Sequence, residues 1–389
     1  MGFPTHDCRP DNSGCVFNTT RTGFLLDWLV DHGAPGFLIG LTSNMYLTNE
    51  TTTEREATLG QYLSDYVPFL TKRGQLERAY LYGVDEPWGA AVKQATKTAD
   101  LARRLQPSLK FLQNTNQNNT KVISELTGHF DALDINLQWF DATNATGYRE
   151  IGAIPELWWN LNIWPAIHPN LYLEFPFTDA RAVGPLSWLQ NISGFEYWSA
   201  FTAGGKANFT PVSEGSAYVP WGVGDDTMDG TLVYPTESGE VLSSMRLESF
   251  RDGIEEMEYL YLLEESCPNS PLLQVDELWV KGMTSWSLSP SEIMSKREAL
   301  ADAIVSCRVK NDDESASSKI SDDESESSSF TVHPWPGGNT WESPWYSVLV
   351  GPPSAQIASF VWFTANDNRQ RIMPGNNIPT MNNKDTSWS

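Results

Sequence analysis

The stretch "LERAYLYGVDEPWGAA", residues 76–91, is an apolar, aromatic run that ends in two adjacent acids, Asp85 and Glu86, followed by a proline. Residues 79–84 have the length and residue types of a buried strand. Behind the proline, Val92, Ala95, Ala99 and Ala102 recur on one helical face. Strand, short turn and helix in that order make one unit of a parallel α/β fold. In such folds ligands meet the C-terminal ends of the strands, which is where this pair stands. Pro87 disfavours the helical region for the residue before it and suits the first turn of a helix. Glu86 is therefore expected to be extended, with the next helix starting at the proline.

The same unit recurs on both sides of that stretch. Residues 20–32 read as a short helix, and residues 52–73 as a longer one with Leu59, Leu63, Tyr66 and Leu70 on one face, ending in Lys72, Arg73 and Gly74. Short apolar runs follow at "KFLQN", "FDALDIN", "PELWWN", "LYLEF" and "SGFEYWS". With "GFLIGL" and "AYLYGV" they make seven candidate strands, of which "LYLEF" also reads as loop. Strands separated by helices pair in parallel. The expected fold class is α/β, a (β/α)8 TIM-like barrel lacking its first strand. An open doubly wound sheet is the alternative, but no Gly-rich phosphate turn follows any strand.

The expected organisation is an N-terminal remnant (1–19), a barrel domain (20–309), a linker (310–329) and a tail (330–389). A Gly-rich loop, 203–241, leads into "SSMRLESFRDGIEEMEYLYLLEES", an amphipathic helix expected to close the barrel. Its Gly253 marks a close approach, and Arg181 is a partner for one of Glu248, Asp252, Glu255 and Glu256. The linker is acidic and Ser-rich and is expected to be disordered. The Trp/Pro/Gly/Asn-rich tail is unassigned.

Composition narrows the partners. With 49 acids against 26 bases the net charge is -23, which argues against nucleic acid or an anionic membrane. No run has the roughly 18 apolar residues of a membrane helix, and residues 1–10 lack the features of a signal peptide. Six sequons, at Asn18, Asn49, Asn118, Asn144, Asn191 and Asn208, point instead to the secretory pathway, with the true N-terminus lying upstream. Close spacing favours pairing Cys8 with Cys15 and Cys267 with Cys307; four unpaired thiols are the alternative. No Cys/His cluster has zinc-site spacing and the five His are scattered, so a protein-bound metal is not expected. Sixteen Trp, 13 Tyr and 17 Phe supply core and, at strand ends, flat faces for sugar rings.

Two neighbouring carboxylates with aromatic surroundings suit glycoside hydrolysis: one acid is protonated to assist the leaving oxygen and the other stabilises positive charge at the sugar. Adjacent acids drive their own pKa values apart, because the first charge disfavours the second. The competing reading is that both acids cap the following helix.

Three segments, taken together, carry a resemblance: "YGVDEPW", residues 156–200 from "ELWWN" to "GFEYWSA", and residues 228–263, "MDGTLVYPTESGEVLSSMRLESFRDGIEEMEYLYLL". In this order they resemble the catalytic region of glycoside hydrolase family 123, over roughly residues 20–265. The resemblance implies a barrel fold and a retaining β-N-acetylgalactosaminidase that uses the substrate's own acetamido group as nucleophile. Glu86 would be the general acid/base, and Asp85 would orient the acetamido group. It also implies a glycan substrate and no cofactor. Substrate binding is expected from Trp158, Trp159 and Asn160, from Tyr197 and Trp198, and from Asp229 and Tyr234 in the long loop. Family members carry a β-sandwich before the barrel, and none is expected here. A carbohydrate-binding relative without turnover, truncated at its N-terminus, and a structural secreted protein are the competing function classes.

Overall fold

The computed structural model describes residues 6–8, 15–31, 36–40, 52–115, 120–140, 156–161, 167–172, 175–197, 232–235, 241–317 and 360–363. A hairpin of β1 (His6–Cys8) and β2 (Cys15–Phe17) comes first, and its antiparallel register sets Cys8 opposite Cys15. Helix α1 (Thr19–Asp31) precedes β3 (Phe37–Ile39), and α2 (Thr52–Lys72) precedes β4 (Ala79–Tyr82). The α2 residues Leu59, Leu63, Tyr66 and Leu70 are all fully buried, as their spacing predicts. Gly74 ends this helix with φ +66°, a left-handed conformation that glycine adopts without strain.

Next come α3 (Ala90–Leu105), β5 (Lys110–Thr115), α4 (Thr120–Leu126), β6 (Ala132–Asn136) and β7 (Glu156–Asn160). After α5 (Phe177–Leu189) and β8 (Gly194–Tyr197) the short strands β9 (Val233–Pro235) and β10 (Val241–Ser243) form a hairpin. The chain continues through α6 (Met245–Ser266), the hairpin β11 (Val280–Gly282) and β12 (Ser285–Trp286), and α7 (Pro290–Ser317). Last is β13 (Phe360–Phe363).

Strands β3 to β8 form one parallel sheet in chain order, and β13 adds an antiparallel strand beside β8. A doubly wound sheet reverses its strand order at a switch point. This one never does. The six parallel strands curl into a half-barrel, tightly enough for β6 and β8 to approach within 8 Å at Cα across the intervening β7. Of the seven predicted strands, six are present; Leu171 and Tyr172 of "LYLEF" lie outside any strand, packed in the core.

Alternation divides the sheet into two faces. Ile39, Leu81, Phe111, Leu133, Ile135, Leu157, Trp159, Phe195 and Tyr197 point outward into one large core with the helices. Leu38, Tyr80, Tyr82, Leu112, Ala132 and Trp158 form a second, smaller cluster on the concave face.

The amphipathic helix of the sequence is α6, and it packs on α5 in the outer layer, with Phe250 against Phe195 of β8. The cause is a glycine pair: a Cβ on Gly184 would lie 1.9 Å from the Gly253 carbonyl oxygen, and one on Gly253 would lie 2.1 Å from that of Arg181. Arg181 reaches across this contact to Glu256 and, at 3.5 Å, to Asp252. Cys267, just past α6, is disulfide-bonded to Cys307 in α7. Helix α7 continues to Ser317, so the first part of the segment expected to be unstructured is helical. Residues 318–329 lie outside the described residues, as does most of the tail.

Candidate active site

Each parallel strand sends alternate side chains to the concave face, and near the C-terminal ends these are polar: Asn114 from β5, Asp134 and Asn136 from β6, Asn160 from β7 and Glu196 from β8. Asp85 and Glu86 join this row from the turn after β4. At the opposite end of the described strands four side chains are knit together. There the Tyr80 hydroxyl donates to Glu156 Oε2 at 2.8 Å, Trp158 Nε1 donates to the same oxygen at 3.2 Å, and Lys110 Nζ donates to the Tyr80 hydroxyl at 3.2 Å.

The two acids are held by one amide. Asn114 Nδ2 donates to Asp85 Oδ1 at 2.8 Å, and Asn114 Oδ1 accepts from the Glu86 backbone N–H at 2.8 Å. The Tyr82 hydroxyl adds a second donor to Asp85 Oδ1 at 3.2 Å. Among the described residues no donor reaches Asp85 Oδ2. Gln113, on the other face of β5, locks the turn from below by donating to the carbonyl oxygens of Val84 at 2.5 Å and Asn114 at 2.7 Å.

Glu86 is not extended: its φ is 43°, in the left-handed region that non-glycine residues rarely occupy. A following proline favours extended backbone for its predecessor, so this conformation runs against that preference, and the Asn114 hydrogen bond to the Glu86 N–H is among the contacts that hold it. Strain of this kind costs about 1–3 kcal/mol and persists where surrounding contacts over-determine it. The next helix starts at Ala90 with Gly89 as its cap, three residues later than expected, and has no acid in its first turn. Asp85 and Glu86 therefore do not cap it. Both are solvent-facing, Pro87 is buried between them and Trp88, and the Trp88 ring is 75% exposed.

The remaining predicted site residues separate. Asn160 belongs to the row: its Nδ2 donates to Asp134 Oδ2 at 2.8 Å and its Oδ1 accepts from Asn136 at 2.7 Å. Trp158 lies on the concave face but has no solvent exposure. Its ring packs against Tyr80 at 4.9 Å, and Gly194 gives it room, since a Cβ there would lie 2.3 Å from the indole. Trp159 and Tyr197 point to the opposite face and are fully buried in the helix-side core, Trp159 edge-on to Phe140 and Tyr197 stacked on Phe195. Neither reaches the acids; with period-two alternation, each lies one residue out of phase. Trp198 and Asp229 lie outside the described residues. Tyr234 is in β9, opposite Leu242, in a hairpin apart from the main sheet.

Sequence reasoning missed Asn114, Asp134, Asn136 and Glu196. Their signal was a polar residue at or next to the end of each apolar run, doubled at period two in one of them: "K-F-L-Q-N", "A-L-D-I-N", "E-L-W-W-N" and "G-F-E-Y". Asp134 is fully buried, and burial together with the neighbouring Glu196 carboxyl holds its own carboxyl well above the usual range. Tyr82 is likewise pushed upward, by burial and by the surrounding Glu196, Asp85 and Asp134. The row thus concentrates carboxyl groups at one mouth, oriented by amides and a phenol. Such a site can protonate a leaving oxygen and stabilise a developing cation.

Comparison with known proteins agrees with that chemistry. The sequence profile of the family described as "Glycoside hydrolase 123, catalytic domain" matches residues 41–263. The chain resembles the solved structure of a family 123 glycoside hydrolase from Clostridium perfringens, studied for glycolipid glycan hydrolysis. The TM-score is 0.52 at 15% identity over 78% of this chain, and the chain spans 58% of the length of that structure. A Thermobacillus composti GH10 xylanase also aligns, with a TM-score of 0.29 at 14% identity over 47% of this chain and 66% of its own, a likeness too slight to argue from. No curated protein matches.

Proposed function

The chain belongs to glycoside hydrolase family 123, and we propose from this that it is a retaining glycosidase acting on terminal β-linked N-acetylgalactosamine or a related N-acetylhexosamine. The observation that carries the reading is the Asn114 amide spanning Asp85 and Glu86 at the C-terminal mouth of the concave face. Glu86 protonates the glycosidic oxygen as the bond to C1 breaks. The substrate's acetamido oxygen forms the new bond to C1, giving an oxazolinium ion. Asp85, oriented by Tyr82 and Asn114, accepts the acetamido N–H and stabilises the positive charge. Glu86 then takes a proton from the water that opens the ring, which returns the β-sugar. This route explains adjacency. No enzyme carboxylate attacks from the far face, so the pair does not straddle the sugar, and substrate assistance is a recognised exception to the two-carboxylate geometries.

On this reading the half-barrel is part of a (β/α)8 barrel, and the protein is glycosylated in the secretory pathway. Sequons and the Cys267–Cys307 disulfide support that location, since disulfides persist in oxidising compartments. The test is release of 4-nitrophenol and of 4-methoxyphenol from the corresponding β-N-acetylgalactosaminides. Glu86→Gln is expected to abolish cleavage of the methoxyphenyl glycoside, whose poor leaving group needs a proton, and to spare part of the nitrophenyl activity. Asp85→Asn is expected to lose both. Wild-type protein that folds and hydrolyses neither substrate would favour a binding relative without turnover.

A further inference from the structure

Trp88 follows Glu86 by two residues, so their Cα atoms are at most about 7 Å apart. Large aromatic side chains stabilise a fold by being buried, and the other described tryptophan side chains are buried or half-buried. Trp88 is 75% exposed, and no ring or cation packs on it among the described residues. Its backbone is held on both sides. Before it, the Glu86 N–H donates to Asn114 Oδ1, and Pro87 is buried with its φ fixed by its ring. After it, the Trp88 carbonyl oxygen accepts from the Ala91 N–H at 3.1 Å, and Gly89 has φ +55°. A Cβ on Gly89 would meet nothing within 4 Å, so glycine serves the conformation of this turn and not its packing. The turn thus offers an indole to solvent from a fixed backbone.

Chain order gives the direction. Asp85 is tied to Tyr82 and Asn114 of the concave face, whereas Val92 and Ala95 of α3 already pack in the helix-side core. Trp88 comes between them, on the rim of the mouth. In the mechanism above, Asp85 holds the acetamido group of the sugar to be released, and Glu86 protonates the oxygen that joins this sugar to its leaving group. The next position outward belongs to the leaving group. We propose that Trp88 is a specificity-determining residue, the platform on which the first ring of the leaving group stacks, so that the substrate class is N-acetylhexosamine linked to a second pyranose. The proposal rests on the catalytic reading of Asp85 and Glu86. A pyranose face carries axial C–H groups, which the negative face of an indole attracts while covering apolar surface. The hydroxyl edge of the sugar stays in water, as a rim allows. A tryptophan has few side-chain torsions to fix, so little freedom is lost on binding.

The test compares two β-N-acetylgalactosaminides that differ only in the leaving group. One carries glucose, joined through its O4, whose ring faces are lined by axial hydrogens; the other carries methanol, which has no face to stack. Trp88→Ala is expected to lower the ratio of kcat/KM for the disaccharide to kcat/KM for the methyl glycoside about 10-fold, and Trp88→Phe to keep most of it. A ratio unchanged in Trp88→Ala, whether both substrates lose equally or neither does, overturns the proposal. Calorimetric titration with the disaccharide gives a reading without turnover, in Glu86→Gln protein with and without Trp88→Ala. Affinity is expected to fall about 10-fold when the indole is removed. Equal affinity, or no binding by either protein, overturns the platform. Failure of the catalytic reading appears separately, as a folded wild-type chain that hydrolyses neither glycoside, and the titration then decides on Trp88 alone.

Discussion

Asn114 has the largest share of the site's geometry relative to its size. One amide fixes Asp85 through its nitrogen and Glu86 through its oxygen, so Asn114→Ala removes two restraints at once and releases the strained Glu86 backbone. A hydrogen bond to a charged group contributes about 1.5–3 kcal/mol. Asn114→Ala is therefore expected to lower kcat about 10- to 100-fold, with a small change in melting temperature. Steady-state kinetics beside a circular dichroism melt check this, and a loss of activity that merely follows unfolding would contradict it. Legibility also divides at this scale. Asp85 and Glu86 stand out because their adjacency and their position after a strand are local properties of the sequence. Glu86's positive φ was not legible, since it depends on a side chain 28 positions away. Trp158 and Trp159 are identical in sequence terms, and only the phase of the strand sends one to each face. Tyr197 was misread for the same reason.

Among elements, the α5–α6 contact tolerates least change. Gly184 and Gly253 let two backbones meet, so Gly184→Ala must push the helices apart or bend one of them. Overpacking of this kind costs about 1–3 kcal/mol, and a lower denaturation midpoint in urea is the expected result. The sequence foretold this contact through a glycine inside a helical pattern and through the Arg181 partnership, but not that α6 would lie on α5. That depends on which helices the sheet's curl brings together. At the start of α5, Asp179 accepts from Trp286 Nε1 at 3.1 Å, and burial raises its carboxyl from 3.8 to about 6. A raised carboxyl means that the folded state binds the proton more tightly than the unfolded chain. Its contribution is most favourable below pH 3.8, falls as pH rises through this window, and is constant above about 6. Asp179→Asn is accordingly expected to raise the melting temperature at pH 7 and to lose that advantage near pH 4. Thermal melts of both proteins across that range measure it.

For the whole molecule, strand order was legible and closure was not. Alternating apolar runs and helical segments specify a parallel sheet wound in one direction. The number of strands that complete a barrel depends on residues far outside any one unit. The tail shows the limit most clearly: Phe360–Phe363 pairs with β8 in a direction opposite to every other strand of the sheet, and although "FVWF" suits a strand, neither its partner nor its direction is a local property of those four residues. The disulfide joins the end of α6 to α7 across a sequence separation of 40. By restricting the unfolded chain it is expected to stabilise by about 2–4 kcal/mol. The Cys267→Ser, Cys307→Ser double variant should melt at lower temperature than the wild type under non-reducing conditions, which a thermal melt measures.

The end of the concave face away from the acids has a consequence for what reaches them. Among the described residues Tyr80, Lys110, Glu156 and Trp158 are hydrogen-bonded to one another there, so these strands present a ligand with the end that carries Asp85 and Glu86. On the proposed function, the bound substrate and the detached sugar compete for that same end. Free sugar is therefore expected to raise the apparent KM while leaving kcat at saturating substrate unchanged, which product-inhibition kinetics would check.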